Sequence, residues 1–463
     1  YQSPMPKHLR WSEWAIDPEG ITGDTLLNFI NNDLFPKLKE LPLVGPEKDR
    51  AKVVRNVFED AYNYMKSGTL IRQAINKLNE IDFNNLDDSH TFGDVYEKLL
   101  KDLQSAGNAG EFYTPRAVTQ FMVEMIDPKL EETVLDPACG TAGFLTHTID
   151  YKTDHYLEKA EDIDVLQSSV FGIEKKALPH LLATTNMMLH GIEVPNNIRH
   201  DNTLSRPLTS YGKKDQVDII LSNPPFGGIE EDGIENNFGS FKTKETADLF
   251  LVLIMRLLKD GGRAAVVLPD GTMFGDGIKT RIKEKLLTEC NLHTIVRLPK
   301  GVFAPYTPIK TNLLFFTKGE PTKEVWYYEH PYPEGYKSYS KTKPMRIEEF
   351  SPEKEWWNKR EENEQAWCVD IEQIKANAFN LDIDNPNTPD DGPGDPAKLL
   401  ASYETNQSNI KKTQQALKSM LEEAIRYEGT MVDLLEKVTI NEQKDGQYGV
   451  SLTFSQSGEL FQL

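Results

Sequence analysis

Apolar residues recur at three- and four-residue spacing in "ITGDTLLNFINNDLFPKLKEL" (21–41), "RAKVVRNVFEDAYNYMKS" (50–67) and "TLIRQAINKLNEI" (69–81). That period predicts amphipathic helices. It holds from about residue 10 to 106, so residues 1–106 are expected to form a small all-helical domain, most simply a packing or docking module. From about residue 110 to 320 the pattern changes to short β-rich runs ("TVLDPA", "SVFGIE", "VDIILSNPP", "GRAAVVLP", "HTIVRLP", "TNLLFFTKG"). Between them lie helical stretches ("KKALPHLLATTNMMLHG", "ADLFLVLIMRLLKDGG", "IKTRIKEKLL"). Such alternation predicts an α/β fold, a doubly wound and mostly parallel sheet with helices on both faces, here assigned to residues 107–383. Ligands of such a sheet bind at the carboxyl ends of its strands.

After about residue 320 come aromatic and charged stretches, "VWYYEHPYPEGYKSYSKTKP" and "EKEWWNKREENEQAW", followed by the proline- and aspartate-rich "DIDNPNTPDDGPGDPAK". Residues 384–396 are expected to be a linker or exposed loop. Residues 397–463 form the last region, expected to be helical, in which Tyr403, Ile410, Leu417 and Ala424 stand seven apart. Leu399 and Met420 flank that seam, whereas Asn406 and Thr413 interrupt it. A long helix follows, either paired with a helix of another chain or packed on its own domain.

Charge narrows the possible partners. Lys+Arg 52 against Asp+Glu 72 gives 52 − 72 = −20, which opposes unaided binding along a phosphate backbone, so a nucleic acid must be met by a local basic patch or through a partner. A length of 463 residues implies two to four domains. No run approaches the roughly 18 apolar residues of a membrane helix and "YQSPMPKHLRWSEW" has no signal-peptide core, so a cytoplasmic protein without membrane contact is expected. The start on Tyr1 implies that the true start is missing. Cys139, Cys290 and Cys368 lie far apart with no C-x-x-C pair, so neither a disulfide framework nor a metal site is expected.

Three strand ends carry candidate chemistry. In "VLDPACGTAGFL" (134–145) Asp136 closes a strand and Gly140 and Gly143 open a turn into a helix. Glycines there let backbone approach a ligand, although an ordinary tight turn has the same look. The dinucleotide fingerprint G-x-G-x-x-G is absent, and an acid before the glycines suits an amino-acid-like moiety. Glu174, at the end of "VFGIE", is placed to bridge ribose hydroxyls, and Asp201, in "RHDNTL", to meet an adenine amino group. Either acid alone could equally cap a helix.

The most informative run is "ILSNPPFGG" (220–228). Each proline holds the residue before it extended and donates no hydrogen bond, so the carbonyls of Asn223 and Pro224 stay available as acceptors beside the Asn223 side-chain oxygen. Acceptors on both hydrogens of an aryl NH₂ group would return its lone pair for attack. Phe226 could stack on the ring, with Gly227 and Gly228 leaving room. A plain strand exit with a buried phenylalanine is the bland alternative. The loop "GGIEEDGIENNFGSFKTKET" that follows could close over a ligand or be solvated connection.

"DPACGTAGF" with "NPPF" resembles the S-adenosylmethionine-dependent methyltransferases of adenine N6 in DNA, and "GEFYTPR" (110–116) matches the remaining motif of one subgroup. Together with "ADLF…LLKDGGRAAVVLPDG", "TNLLFFTKG", "NAFNLDI" and the helical N-terminal domain, the sequence resembles the modification subunit of Type I restriction-modification systems over most of residues 10–383. "IDNPN" after "FNLDI" departs from the pattern, and the resemblance is weakest in the last helix. The resemblance implies a Rossmann-like methyltransferase domain and S-adenosyl-L-methionine as cofactor. Its contacts would come from Glu111, Phe112, Tyr113, Thr114, Asp136, Ala138, Gly140, Thr141, Gly143, Phe144, Glu174, Asp201 and Asn223. Asn223, Pro224, Pro225 and Phe226 would carry the catalytic role, on an adenine flipped out of duplex DNA. A specificity subunit binding two copies of the chain and a restriction subunit are the implied partners. Methyltransferases of RNA or protein glutamine share the Asn-Pro-Pro-aromatic motif, and a non-catalytic scaffold of this fold is a third class. Cytosine C5 chemistry would need a Pro-Cys nucleophile, which is absent.

Overall fold

The computed structural model describes residues 4–45, 47–80, 96, 100, 114–228, 230–304, 306–340, 342–387, 396–425, 438–441, 451–454 and 461–462. Two compact units result, residues 1–388 and 389–463.

The first unit opens with helices, as the spacing predicts. Gly23–Asn28 runs through a π-helical turn, Phe29–Leu34, into Phe35–Lys39, followed by α1 (Lys48–Phe58) and α2 (Gly68–Leu78). Their apolar faces enclose Ala15, Leu26, Ile30, Ile71 and Ile75. Arg72 of α2 is buried, yet its guanidinium donates to the carbonyls of Trp14, Ala15, Asp17 and Ile21, so no donor is wasted on an apolar neighbour. Two of the helix starts meet closely at Gly68, where a Cβ would lie 1.9 Å from the Gly23 carbonyl oxygen.

A nine-stranded sheet follows: β1 (Val134–Asp136), β2 (Val170–Glu174), β3 (Ile198–His200), β4 (Val217–Ser222), β5 (Leu258–Pro269), β6 (Cys290–Leu298), β7 (Thr311–Lys318), β8 (Glu324–Glu329) and β9 (Ala366–Asp370). Their order is β3-β2-β1-β4-β5-β7-β6-β8-β9. Strands β3 to β5 are parallel, while β7 runs antiparallel between β5 and β6. Strand β8 is parallel to β6, and β9 antiparallel to β8. The connections wind outward in opposite directions from β1 and β4, so the topological switch falls between these two strands. That is where a cleft opens at the carboxyl edge.

Both sheet faces are buried, which is why the strands read as near-continuous apolar runs. Ile219, Leu221, Ala265 and Val267 face one core, under α3 (Arg116–Ile126) and α4 (Gly143–Tyr156). Ile220, Ala264, Val266 and Leu268 face the other, under α5 (Thr246–Leu257). In three places the structure departs from the pattern-based expectation. The helix read through "LLKDGG" stops at Leu257, because Leu258 already pairs with Val217 of β4. The aromatic stretch after residue 320 supplies two strands, with "VWYYE" in β8 and "AWCVD" in β9. In the second unit, α6 (Pro396–Ile425) is the long helix that was expected. Beyond it a small antiparallel sheet forms from β10 (Val438–Asn441), β11 (Ser451–Phe454) and β12 (Phe461–Gln462), in a region expected to be helical. The β-branched, two-residue alternation of "VTIN" and "SLTF" favours strands there. Residues 388–395 of the expected linker lie outside the described residues.

Candidate active site

At the carboxyl edge the turn after β1 needs left-handed backbone twice, at Gly140 (φ 54°) and Ala142 (φ 67°), before α4 begins at Gly143. At Gly143 a Cβ would lie 2.2 Å from Arg116 Nη1, a contact that a shift of the flexible Arg116 side chain would relieve. The turn is fixed from below, since Cys139 N donates to the Ile173 carbonyl and Gly140 N to Glu174 Oε2.

The cavity at the switch point is lined by Thr114, Asp136, Ala138, Gly140, Thr141, Gly143, Phe144, Glu174, Asp201, Asn223 and Pro225. Residues separated by more than 100 positions therefore converge where the motifs placed them. Glu111, Phe112 and Tyr113 lie outside the described residues. Pro224 is buried and Phe226 half-buried. Neither lines the cavity; the Phe226 ring meets Phe303 edge-on, centroids 5.2 Å apart.

Asp136 is 2% exposed, and its Oδ1 accepts from Ala138 N (3.1 Å) and Ser222 Oγ (2.8 Å). Burial, reinforced by the charge of Glu174, nonetheless pushes its carboxyl up to about 7. Glu174 is raised by burial too, although each of its oxygens accepts a backbone N–H, one from Gly140 and one from Lys176. Each oxygen keeps a second lone pair for a ligand hydroxyl. Asp201 is exposed on the rim. Cys139 is buried and its thiol raised well above its usual value, so it is no nucleophile.

Asn223 directly follows β4. Its Nδ2 donates to Thr114 Oγ1 at 2.9 Å, which turns the amide so that Oδ1 is buried with no hydrogen-bond partner. A buried acceptor without a donor costs about 1–3 kcal/mol, and an incoming N–H relieves it. Sequence reasoning missed Thr246 and Phe250, which line the cavity from α5, and Phe303 beside Phe226. "ADLF" (247–250) was a visible signal for Phe250, and Thr246 directly precedes it. Phe303 sits in a loop whose position only the fold reveals.

A doubly wound sheet whose Asn-Pro-Pro-Phe motif leaves the strand next to a glycine-containing βα turn defines an amino-group methyltransferase class. This chain belongs to the N-6 DNA methylase family, whose profile matches residues 87–392, and within it to the methylase subunits of Type I restriction enzymes. It is 60% identical to the EcoEI methylase subunit of Escherichia coli over 92% of this chain and 88% of the relative. Among solved structures it is similar to a modification subunit attributed to a type I restriction enzyme of Vibrio vulnificus YJ016, with 46% identity, a TM-score of 0.74 and coverage of 84% and 86% of the two chains. A chain from a structure of type I restriction-modification assembly and conformational transition matches at 37% identity and TM-score 0.76, covering 90% of this chain and 88% of that one.

Proposed function

We propose that the chain is the methylating subunit of a Type I restriction-modification complex and modifies N6 of adenine in DNA. The observation that carries this reading is the buried, unpartnered Asn223 Oδ1 at the end of β4, an acceptor waiting for an N–H donor beside the turn after β1. The turn residues fit S-adenosyl-L-methionine: a glycine-opened βα turn, a carboxylate ending β2 and another just after β3, and a helix start at Gly143. Thr114, Asp136, Ala138, Gly140, Thr141, Gly143, Phe144, Glu174 and Asp201 would hold it, joined by Glu111, Phe112 and Tyr113 from the preceding segment. When bound, it supplies an activated methyl group. Asn223 Oδ1 and the Pro224 carbonyl accept the two N6 hydrogens, which withdraws the nitrogen lone pair from the ring and turns it outward. With Cys139 buried and protonated, no covalent enzyme intermediate is involved. The methylated nitrogen then gives up one proton to solvent water.

Partner assignment rests on α6. Leu400, Tyr403, Ile410 and Leu417 are 59%, 60%, 51% and 52% exposed, which leaves a heptad-spaced apolar seam open to a partner helix. The partner is the specificity subunit, which reads the DNA sequence for two copies of this chain, with a restriction subunit joining them. No helix among the described residues is long and apolar enough to cross a membrane, and none of them form a cluster of metal ligands. The test is to reconstitute the chain with its specificity subunit, supply unmethylated duplex and cofactor, and identify the methylated nucleoside. N6-methyladenine at one sequence context is expected; label appearing only in RNA or protein would overturn the reading.

A further inference from the structure

We infer that residues 330–346, together with Lys300, form a basic strap that follows the DNA phosphates beside the base-binding motif. This rests on the DNA-methylase reading and assigns it a surface. The chain carries a net charge of −20, yet "HPYPEGYKSYSKTKPMR" (330–346) holds Lys337, Lys341, Lys343 and Arg346 against Glu334 alone, 4 − 1 = +3. The neighbouring "PKGVFAPYTPIK" (299–310) adds Lys300 and Lys310 with no acid.

Topology brings these segments to the carboxyl edge. Residue 330 follows β8 and residue 299 follows β6, and these strands are parallel neighbours, with Arg297 paired to Glu329. Strand β6 runs in the same direction as β4, through β7, so both segments leave at the edge where Asn223 ends its strand. Contact is direct at Phe303, whose ring meets Phe226. Tyr332 Oη donates to the Lys300 carbonyl at 2.9 Å, and Gly301 (φ 84°) approaches so closely that a Cβ would lie 2.7 Å from the Tyr339 carbonyl oxygen.

The strap is held from inside. His330 Nδ1 donates to the fully buried Glu353 at 2.5 Å, and Tyr339 Oη to Glu349 at 2.5 Å. Outside, Lys300, Lys337 and Lys343 are exposed, and among the described residues no carboxylate forms an ion pair with any of them. Lys343 instead lies over the Tyr336 ring, 5.1 Å from its centroid. Arg346 is partly committed to Glu349 at 3.6 Å, and Glu334 and Glu348 are the exposed acids nearby in sequence. Three exposed ammonium groups without a carboxylate partner among the described residues suit the phosphates of a polyanion. An acidic peptide would offer the same charge, but it has no reason to lie beside a base-binding motif.

The test compares two triple variants of the full chain in complex with its specificity subunit. Lys300→Gln/Lys337→Gln/Lys343→Gln alters the strap. Lys213→Gln/Lys214→Gln/Lys323→Gln removes the same charge from exposed lysines that precede β4 and β8, on the opposite sheet edge. Duplex affinity is measured by anisotropy across a salt series. For the strap variant the slope of log K against log salt should fall by about 2.7 per copy of the chain, hence about 5.4 for the two copies of the complex, from about 0.9 per lost phosphate contact, equally on specific and unrelated DNA. The control should keep the wild-type slope, and both variants should retain wild-type S-adenosylmethionine affinity by calorimetry. An unchanged slope in the strap variant, an equal fall in the control, or preferential loss of binding to an acidic peptide overturns the strap. Failure of the wild-type complex to methylate any duplex instead sinks the reading on which it rests.

Discussion

The proposed reaction rests on one buried oxygen, that of the Asn223 amide. Asn223→Ala should lower methyl transfer by roughly 10²–10³-fold, the usual cost of removing a preorganised polar group from a reacting centre, and leave S-adenosylmethionine affinity within about twofold. Retained turnover in single-turnover assays would refute the assignment. A second residue-scale expectation concerns acid–base linkage. Asp136 binds its proton more tightly in the folded state, up to about 7 against an ordinary 3.8, so that stabilisation is complete at low pH and disappears as the pH rises through 7. Glu174, shifted the same way, adds to the slope. Asp136→Asn keeps an acceptor for Ala138 and Ser222 while removing the charge, so its thermal stability relative to wild type should be higher at pH 8 than at pH 5. A pH-independent difference would count against this. Asn223, Asp136, Gly140 and Glu174 were legible because proline, glycine and strand-end acids leave local marks. The Thr114 hydroxyl that orients Asn223 was flagged only by its motif, and its hydrogen bond depends on tertiary placement.

At the scale of elements, close approach rather than propensity sets the N-terminal bundle. Gly68→Ala should cost about 1–3 kcal/mol, since the added Cβ overlaps backbone that cannot rotate away, and a fall in Tm checks it. No sequence pattern announced that contact. The periodicities did announce α1, α2, α5, α6 and the strands through β7, because apolar spacing registers which face is buried, whereas α3 carried no such announcement and α4 was signalled only by the glycine turn before it. Strands β8 and β9 escaped notice because their tryptophans and tyrosines lie among charges, and the second unit's sheet because short β-branched runs carry little signal. In α6 the heptad stripe was readable, and its exposure gives it a use. Ile410→Lys with Leu417→Lys should abolish co-purification with the specificity subunit while sparing cofactor binding. An intact complex would show that the seam serves another purpose.

For the whole molecule, net charge and division into units set the behaviour. With −20 overall, the isolated chain should not methylate duplex DNA site-specifically at physiological salt, and removing residues 396–463 should leave the first unit able to bind cofactor but inactive on DNA. A fully active truncated chain would refute the division of labour. One hydrogen bond gives the fold a logical property as well. Thr114 Oγ1 and Asn223 Nδ2 join two motifs 109 positions apart, one on the cofactor side and one on the base side. On the proposed assignment, the acceptor for adenine is aimed by a residue on the methyl-donor side, so each ligand should raise affinity for the other by the same factor. On that assignment the site should behave as a coincidence detector, committing to a base only when a methyl group is at hand. Thr114→Val should uncouple the two inputs, with DNA affinity becoming indifferent to cofactor, and a titration of DNA with and without it reads the loss directly.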